Sequence, residues 1–484
     1  MAPSELLAGI EELERRGILK STTPSASACY DFAHDLVRVG AYRTLSEPRR
    51  RLVHLQIARA LDRGAAASST SASLGSDLTG VDGALAGDVA HHAALGGDSA
   101  LAARAYVSAA QRCLRIFAND EAIRLVDRGM QHLLGLDRPT SVALRLALLQ
   151  VHVLSGRWIQ RARALNDDLS RAIIDAQDSG LHAAAAEGLH TLSIMQHDGG
   201  DFLGARDSSI RAADASRAAD PQRTAKQLAN SARCLAMLEN DMPQAKSMIA
   251  EAIALAGSGE ADLVHLEWAR GLLSAFDGDY DDARAHLGRV VAASRRDEER
   301  WAEFDATMRL VLLELELGRP DAALAKCAEL TPVAAKMGEG TEGPAAEALE
   351  ALARVALGEA TAERRLERAL DALREVDAKG MLAYVLTLAA EIDRGRGAID
   401  RARARAEQAL SAAQIVARKS LVALARAVLA EIALASGDRD AARAHVDATR
   451  DDLTAPHALS ARARAAIERV AAALDSSAIR PPPK

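Results

Sequence analysis

The chain has 484 residues, of which 49% are hydrophobic and only 3% aromatic, and its formal net charge is −7. Alanine supplies much of the hydrophobic content. Because alanine is the best helix former and a poor strand former, the composition argues against a sheet protein and predicts an all-α fold. The acidic balance, without a concentrated basic face, argues against direct nucleic-acid binding.

The cysteines and the apolar runs argue against a disulfide-rich, a zinc-binding or a membrane protein. Cys29, Cys113, Cys234 and Cys327 lie far apart without a C-x-x-C pair, which argues against a disulfide framework or a zinc site. The N-terminus lacks the basic and apolar regions of a signal peptide. No apolar run approaches the ~20 residues that span a bilayer. We therefore predict a soluble, cytoplasmic protein without membrane contact.

The sequence pattern of residues 1–63 predicts a small domain of helices and a two-stranded hairpin. The first helix ends at Gly17, and proline in the first turn favours the start of the last helix near Glu47. The order of elements is typical of a partial winged-helix segment. The predicted elements are helix Ser4–Arg16, strands Ile18–Thr22 and Cys29–Phe32, helix His34–Leu45 and the helix from Glu47.

Two less regular segments follow. Residues 64–87 are rich in Ser, Ala and Gly, a composition that predicts a flexible linker. Residues 88–140 predict the first irregular helical hairpins, with helices at Ala100–Phe117 and Asp120–Leu134.

A repeat organises most of the remaining chain. In each unit an apolar helix end is followed by Gly or Asn, a short polar turn and an alanine-rich helix. We call this Gly or Asn the turn position, because it suits the left-handed residue that ends a helix. Successive turn positions lie between 38 residues (Asn240 to Gly278) and 44 residues (Gly156 to Gly200) apart. The eight turn positions are Gly156, Gly200, Asn240, Gly278, Gly318, Gly358, Gly397 and Gly437.

Small residues recur at two places in each unit. A small side chain on both helices of a hairpin lets their axes approach closely, so the pattern predicts packing of the two helices. Five residues after the turn position stand Ala205, Ala245, Ala283, Ala323, Ala402 and Ala442. Seven residues before it stand Ser193, Gly271, Ala351, Ala390 and Ala430.

The segment G-D-Y-D-D-A-R-A-H-L, Gly278 to Leu287, resembles the turn and second helix of the tetratricopeptide repeat. The period near forty residues is longer than the family's thirty-four. The resemblance implies a right-handed superhelical array of helical hairpins over residues 141–475. It would end in a closing helix at Ala455–Leu474, followed by a tail at 476–484.

A second resemblance covers the N-terminal part of the chain. E-L-E-R-R-G-I-L-K, Y-D-F-A-H-D-L-V-R-V-G-A-Y-R-T-L and P-R-R-R-L-V-H-L-Q-I-A-R-A-L are similar to the junction between winged helix and repeats in bacterial STAND-type ATPase transcription regulators of the LuxR or SARP/BTAD type. D-V-A-H-H-A-A-L-G-G-D continues the similarity. The matching residues are Gly17, Leu19, Phe32, His34, Val37, Arg38, Tyr42, Leu45, Arg50, His54 and Ala58.

The P-loop of those regulators is missing from the chain, because G-x-x-x-x-G-K-[ST] does not occur. The resemblance therefore implies the C-terminal half of such a regulator, with its ATPase and output domain supplied elsewhere.

No catalytic, cofactor or metal site is predicted. The neighbours His91 and His92 point about 100° apart on a helix and lack a zinc-binding motif, so a packed or solvated pair is favoured. For His34 and His54, packing is favoured over catalysis. The acidic residues after Gly278 fit a helix start better than a calcium loop. The sequence therefore predicts a protein that is not an enzyme.

A concave groove lined by the first helix of each hairpin is the candidate binding surface. Ten and thirteen residues before the turn position, polar and aromatic side chains interrupt the alanines, which suits a peptide or a small metabolite. The alternative is that they are ordinary solvated residues, with Trp268 packed on a neighbour. Trp158 and Trp301 are predicted core residues. The groove residues are Glu187, His190, Gln227, Asn230, His265, Trp268, Asp305, Met308, Tyr384 and Thr387.

These observations favour a regulatory or sensor module that binds a protein, a peptide or a small-molecule effector. A free-standing scaffold that binds only proteins is the alternative, and an enzyme is the third hypothesis, for which no nucleophile, base or metal set is found.

Overall fold

The computed structural model describes residues 3–21, 30–68, 85–156, 162–256, 263–337, 340–455 and 457–476. These residues form 24 helices and one two-stranded sheet, which confirms the predicted all-α class. The chain divides into two compact units. None of the described helices combines the length and the apolar character needed to cross a bilayer.

The first unit contains residues 1–72, 76–109 and 127–136. Gly17 adopts a φ of +67° where the first helix ends. Leu19 then pairs with Phe32 in an antiparallel hairpin, close to the predicted strands; residues 22–29 lie outside the described residues. The elements are α1 (Pro3–Arg15), β1 (Leu19–Ser21), β2 (Tyr30–Phe32), α2 (Asp35–Thr44), α3 (Glu47–Ser68) and α4 (Ala86–Gly96). The helices α5 (Ser99–Arg115) and α6 (Asn119–Gln131) contribute residues to both units.

The predicted linker 64–87 is shorter than expected. Helix α3 continues to Ser68 and α4 begins at Ala86, because the alanines after Gly64 extend the helix at little cost. Residues 69–84 of the predicted linker lie outside the described residues.

The second unit contains residues 73–75, residues 110–126 and the chain from Asp137 onward. Its described residues from 138 to 447 form eight helical hairpins, each with a first helix, A, and a second helix, B. The A helices are α7 (Arg138–Leu154), α9 (His182–Asp198), α11 (Pro221–Leu238), α13 (Leu263–Asp277), α15 (Arg300–Glu316), α17 (Glu342–Leu357), α19 (Lys379–Gly395) and α21 (Lys419–Ala435). The B helices are α8 (Ala162–Asp178), α10 (Phe202–Ser216), α12 (Met242–Ala256), α14 (Tyr280–Arg296), α16 (Pro320–Met337), α18 (Ala362–Glu375), α20 (Ile399–Ile415) and α22 (Arg439–Asp447).

The two ends of the array differ from the prediction. Helix α7 begins at Arg138 rather than after residue 140, because Asp137 caps it by accepting the Thr140 amide at 3.1 Å. The closing helix, α24 (Ala461–Ser476), begins later than the predicted Ala455, after the short helix α23 (Arg450–Thr454). Residues 477–484 of the predicted tail lie outside the described residues.

Seven of the eight turn positions are glycines with φ between 67° and 89°, which confirms their predicted role. After Gly278, for example, the Asp279 amide donates to the Ser274 carbonyl at 2.8 Å and closes the end of α13. In the third hairpin the prediction was one residue off, because Glu239 rather than Asn240 takes the left-handed conformation.

In four hairpins the connection from the B helix to the next A helix also contains a left-handed residue. Gly180, Glu298, Asp377 and Ala417 occupy it, with φ between 51° and 69°. The sequence pattern did not mark these left-handed residues, because three of the four are not glycine.

The small residues lie where the hairpins are tightest. The six alanines five residues after the turn position are all fully buried, which confirms the predicted packing. Gly271 of α13 is so close to α14 that an added Cβ would lie 2.9 Å from Leu287 Cγ. Helix B therefore rests directly on the backbone of helix A at this point.

Replacing Gly271 with alanine should destabilise the array. The new methyl group would push Leu287 out of a filled core, and overpacking of this kind costs about 1–3 kcal/mol. The matched control is Gly288→Ala in α14, where an added Cβ meets nothing within 4 Å and where the gain in helix propensity is about 0.5–1 kcal/mol. Urea midpoints of both variants check this, and a Gly271→Ala variant as stable as Gly288→Ala would contradict it.

Candidate functional site

The A helices of distant hairpins meet inside the second unit. The Tyr384 hydroxyl of α19 donates to the Leu312 carbonyl of α15 at 3.1 Å. Arg462 of α24 pairs with Glu391 of α19 at 2.7 Å and lies 3.8 Å from Glu316 of α15. Since A helices from separate hairpins contact each other, they line the inside of the array, and we call this surface the inner face.

Most of the predicted groove residues are buried on the inner face rather than open to solvent. The exposed residue of the ten is Glu187, while His265 and Met308 are half-buried. The alternative that these are ordinary solvated residues is therefore wrong for most of them, although Trp268 does pack on a neighbour as that alternative had it. Their role in binding stays a prediction. The buried residues are His190, Gln227, Asn230, Trp268, Asp305, Tyr384 and Thr387.

Two of the predicted groove residues have structural contacts. The Thr387 hydroxyl donates to the Ala383 carbonyl one turn earlier in α19, at 2.8 Å. Met308 packs against the apolar core formed by α15 to α21. Neither side chain adds a free polar group to the inner face.

An aromatic and cationic cluster forms the centre of the inner face. The Trp268 indole donates to Asp305 Oδ2 at 3.0 Å, and its ring lies 5.4 Å from that of Trp301, centre to centre. The guanidinium carbon of Arg233 lies 4.7 Å from the centre of the Trp268 ring and 5.8 Å from that of Trp301. Cation–π contact of this kind holds the guanidinium in place.

The prediction that Trp301 is a core residue was wrong. Its ring leans on Trp268, but 46% of the residue is exposed. Trp158 lies outside the described residues. The inner face therefore presents one buried and one accessible tryptophan side by side.

Arg233 is the most unusual group of this cluster. It is only 7% exposed, and no carboxylate of the described residues lies within the 4.0 Å of an ion pair. Its Nη1 donates only to the Met237 sulfur, at 3.4 Å, and its Nε has no partner among those residues. Burial lowers the pKa of the guanidinium from its usual value. A buried cation without a counterion is costly unless another group pairs with it.

Two histidines beside Arg233 are neutral. Burial, with the charges of Arg233 and Lys226, lowers the pKa of His190 to about 3. The same causes hold the pKa of His265 well below its usual value. Among the described residues, His190 Nδ1 and Asn230 Oδ1 have no hydrogen-bond partner. The inner face thus holds unpaired donors and acceptors in a positive field.

Further charged groups surround this cluster. Arg309 lies 3.5 Å from Asp305, and Arg418, in the connection before α21, lies 4.0 Å from Glu239 at the end of α11. The carboxylates of Glu316 and Glu391 lie beside Arg462, and burial raises the pKa of both. The inner face is therefore charged along its length.

The sequence analysis missed the arginines. Arg233 stands seven residues before the third turn position, where five other units have a small residue, and this exception was the available signal. Arg309 follows Asp305 by one helical turn. Arg418 and Arg462 lie outside the register of the A helices, so the repeat gave no signal for them.

In the first unit, the structure brings His54 next to the adjacent histidines His91 and His92. His54 Nδ1 of α3 lies 2.7 Å from His92 Nδ1 of α4, and the Tyr42 hydroxyl lies 3.0 Å from His54 Nε2. The ring of His91 lies 6.4 Å from that of His54. Burial lowers the pKa of His54 and of His92. These contacts agree with the packing interpretation of His54, and no cluster suited to a metal ion occurs among the residues described.

No protein-family model and no curated protein sequence matches the chain. Solved structures do match. A Rap protein complexed with Competence and Sporulation Factor has a TM-score of 0.52 and 13% identity, over 78% of this chain and 99% of that chain. The apo form of the quorum sensor NprR from B. thuringiensis has a TM-score of 0.44 and 11% identity, over 72% of this chain and 97% of that chain.

A Pyrococcus horikoshii STAND protein with a tetratricopeptide repeat sensor has a TM-score of 0.40 and 12% identity, over 93% of this chain and 69% of that chain. At 13% identity, the match to the Rap protein shows the fold alone. The chain has the fold of tetratricopeptide-like helical repeat proteins.

The neutral state of His190 should make the protein less stable in mild acid. In the unfolded chain a histidine takes up a proton below pH 6.5, whereas the folded His190 stays neutral until about pH 3. Stability is therefore present above pH 6.5 and is lost as the pH falls towards 3, with a contribution of about 2 kcal/mol between pH 7.5 and 5.

Urea unfolding at a series of pH values measures this loss. His190→Gln should make the pH dependence shallower. His182→Gln, at an exposed position of the same helix, should leave it unchanged. Equal pH dependence in the wild type and in both variants would contradict the assignment of a neutral His190.

Proposed function

We propose that this protein is a non-catalytic regulatory or sensor module that binds a peptide or a protein segment on the inner face of its repeat array. The observation that carries the proposal is that three buried polar atoms of the inner face, His190 Nδ1, Asn230 Oδ1 and Arg233 Nε, have no hydrogen-bond partner among the described residues. Native interiors satisfy such groups, and unsatisfied ones on a lined surface suit a bound ligand.

The comparisons are compatible with this proposal. The Rap protein was solved in complex with Competence and Sporulation Factor, and NprR is a quorum sensor. Both statements concern those proteins, and we extend to this chain only the hypothesis of a bound regulatory peptide. A small-molecule effector on the same surface is a second candidate, supported by the exposed face of Trp301.

We further propose that the chain is the sensor part of a STAND-type transcription regulator. The motifs from Glu12 to Leu61 support this proposal, as does the order of helix, two strands and two helices in the first unit. The ATPase and output domain would then be supplied elsewhere, and the protein would act in the cytoplasm. A free-standing scaffold is the alternative, and ATPase-coding sequence directly upstream of Met1 would favour the regulator.

Binding to the inner face should stabilise the protein. A ligand at 100 times its Kd stabilises by about 2.7 kcal/mol, so extract fractions and peptide panels can be screened by the shift in Tm. Asn230→Ala should reduce the shift, because it removes an inner-face hydrogen-bonding group. Gln222→Ala, exposed at the start of the same helix, is the matched control. A stabilising ligand whose effect is the same in both variants would place its site elsewhere.

A further inference from the structure

We propose that the inner face recognises a carboxylate, which the Arg233 guanidinium binds beside Trp268 and Trp301. This inference rests on the proposed function, and it names the chemical group of the peptide that the inner face would recognise. The carboxylate is either the C-terminus of the peptide or the side chain of an Asp or Glu in it.

The first argument is the unpaired cation. Arg233 is almost fully buried, yet its direct contacts among the described residues are two aromatic rings and a sulfur atom. Asp305 attracts the guanidinium, but no carboxylate of the described residues forms an ion pair with it. Arginine is suited to a carboxylate because its planar fork of donors matches two oxygen atoms. Its Nε, which has no partner among these residues, is one of the donors used in that geometry.

The second argument is the surplus of positive charge. Arg233, Arg309 and Arg418 act on the same part of the inner face. The nearby carboxylates are already engaged. Asp305 accepts the Trp268 indole and faces Arg309, while Glu239 faces Arg418. An incoming carboxylate would reduce this imbalance.

Arg233 can pair with an incoming carboxylate without losing its present contacts. Stacking on Trp268 uses the flat face of the guanidinium, whereas a carboxylate binds to its edge. The ring of Trp301 would then lie beside the bound group, so binding should change tryptophan fluorescence.

Access favours a peptide over the surface of a folded protein. Arg233 is 7% exposed, whereas Trp301 beside it is 46% exposed. A chain end or a single side chain can pass along the Trp301 ring to reach the guanidinium. A broad protein surface cannot reach a group that lies this deep.

The test uses the full chain and three libraries of random-sequence pentapeptides. The first has a free C-terminal carboxylate and no Asp or Glu, the second is amidated and contains Asp or Glu, and the third is amidated without either. Tryptophan fluorescence, read in a Trp158→Phe background to leave Trp268 and Trp301, and Tm report binding. We expect the first or the second library to bind, which identifies the source of the carboxylate, and the third to bind at least tenfold more weakly.

Variants then locate the group. Arg233→Gln should weaken binding of the carboxylate library at least tenfold, and Arg233→Lys should restore part of it, because lysine keeps the charge but not the fork. Arg365→Gln, exposed on α18, should bind like the wild type. Circular dichroism and Tm of the free variants establish that they are folded, and the comparison of libraries on the wild-type protein needs no variant.

Each result decides between the proposals. If the amidated library without acidic residues binds as well as the others, or if Arg233→Gln binds undiminished, the carboxylate inference is wrong and peptide binding stands. If none of the libraries binds, both the inference and the proposed peptide function are contradicted.

Discussion

The close contact between the two helices of each hairpin is the constraint on which the array depends. Fully buried alanines after the turn positions, and Gly271 against Leu287, keep the helix axes near each other. Repeat arrays gain stability from such local contacts and from the stacking of neighbours. Because the core is built locally between A and B helices, the opposite side of the A helices is free to carry polar and charged residues.

That freedom explains the composition of the inner face. Arg233 and Asp305 would weaken an ordinary core, since buried charge and polar groups are costly. Here they lie where A helices of different hairpins converge, and Trp268 contacts both of them. Its indole donates to Asp305, and its ring lies against the Arg233 guanidinium. Among the described residues, Arg233 Nε and His190 Nδ1 still have no hydrogen-bond partner. These two unsatisfied atoms are the physical basis for the proposed binding of a peptide.

The hairpins were predictable because each turn depends on a few neighbouring residues. Glycine at a helix end indicates a left-handed backbone, and seven of the eight predicted turn positions are glycines with that conformation. The prediction was off by one residue at Asn240, where a non-glycine residue takes that conformation. It did not identify the left-handed residues of the second connection for the same reason: Glu298, Asp377 and Ala417 adopt that conformation without being glycine.

The sequence by itself determined the helical class, the hairpin period and which side of the A helices is polar, because these follow from local propensity and spacing. Only the tertiary structure decided that this side is largely buried and that Arg233 meets two tryptophans from other hairpins. It also brought Arg462 between Glu316 and Glu391. The reason is that these contacts join different hairpins, whereas the repeat pattern in the sequence describes only the residues within one hairpin.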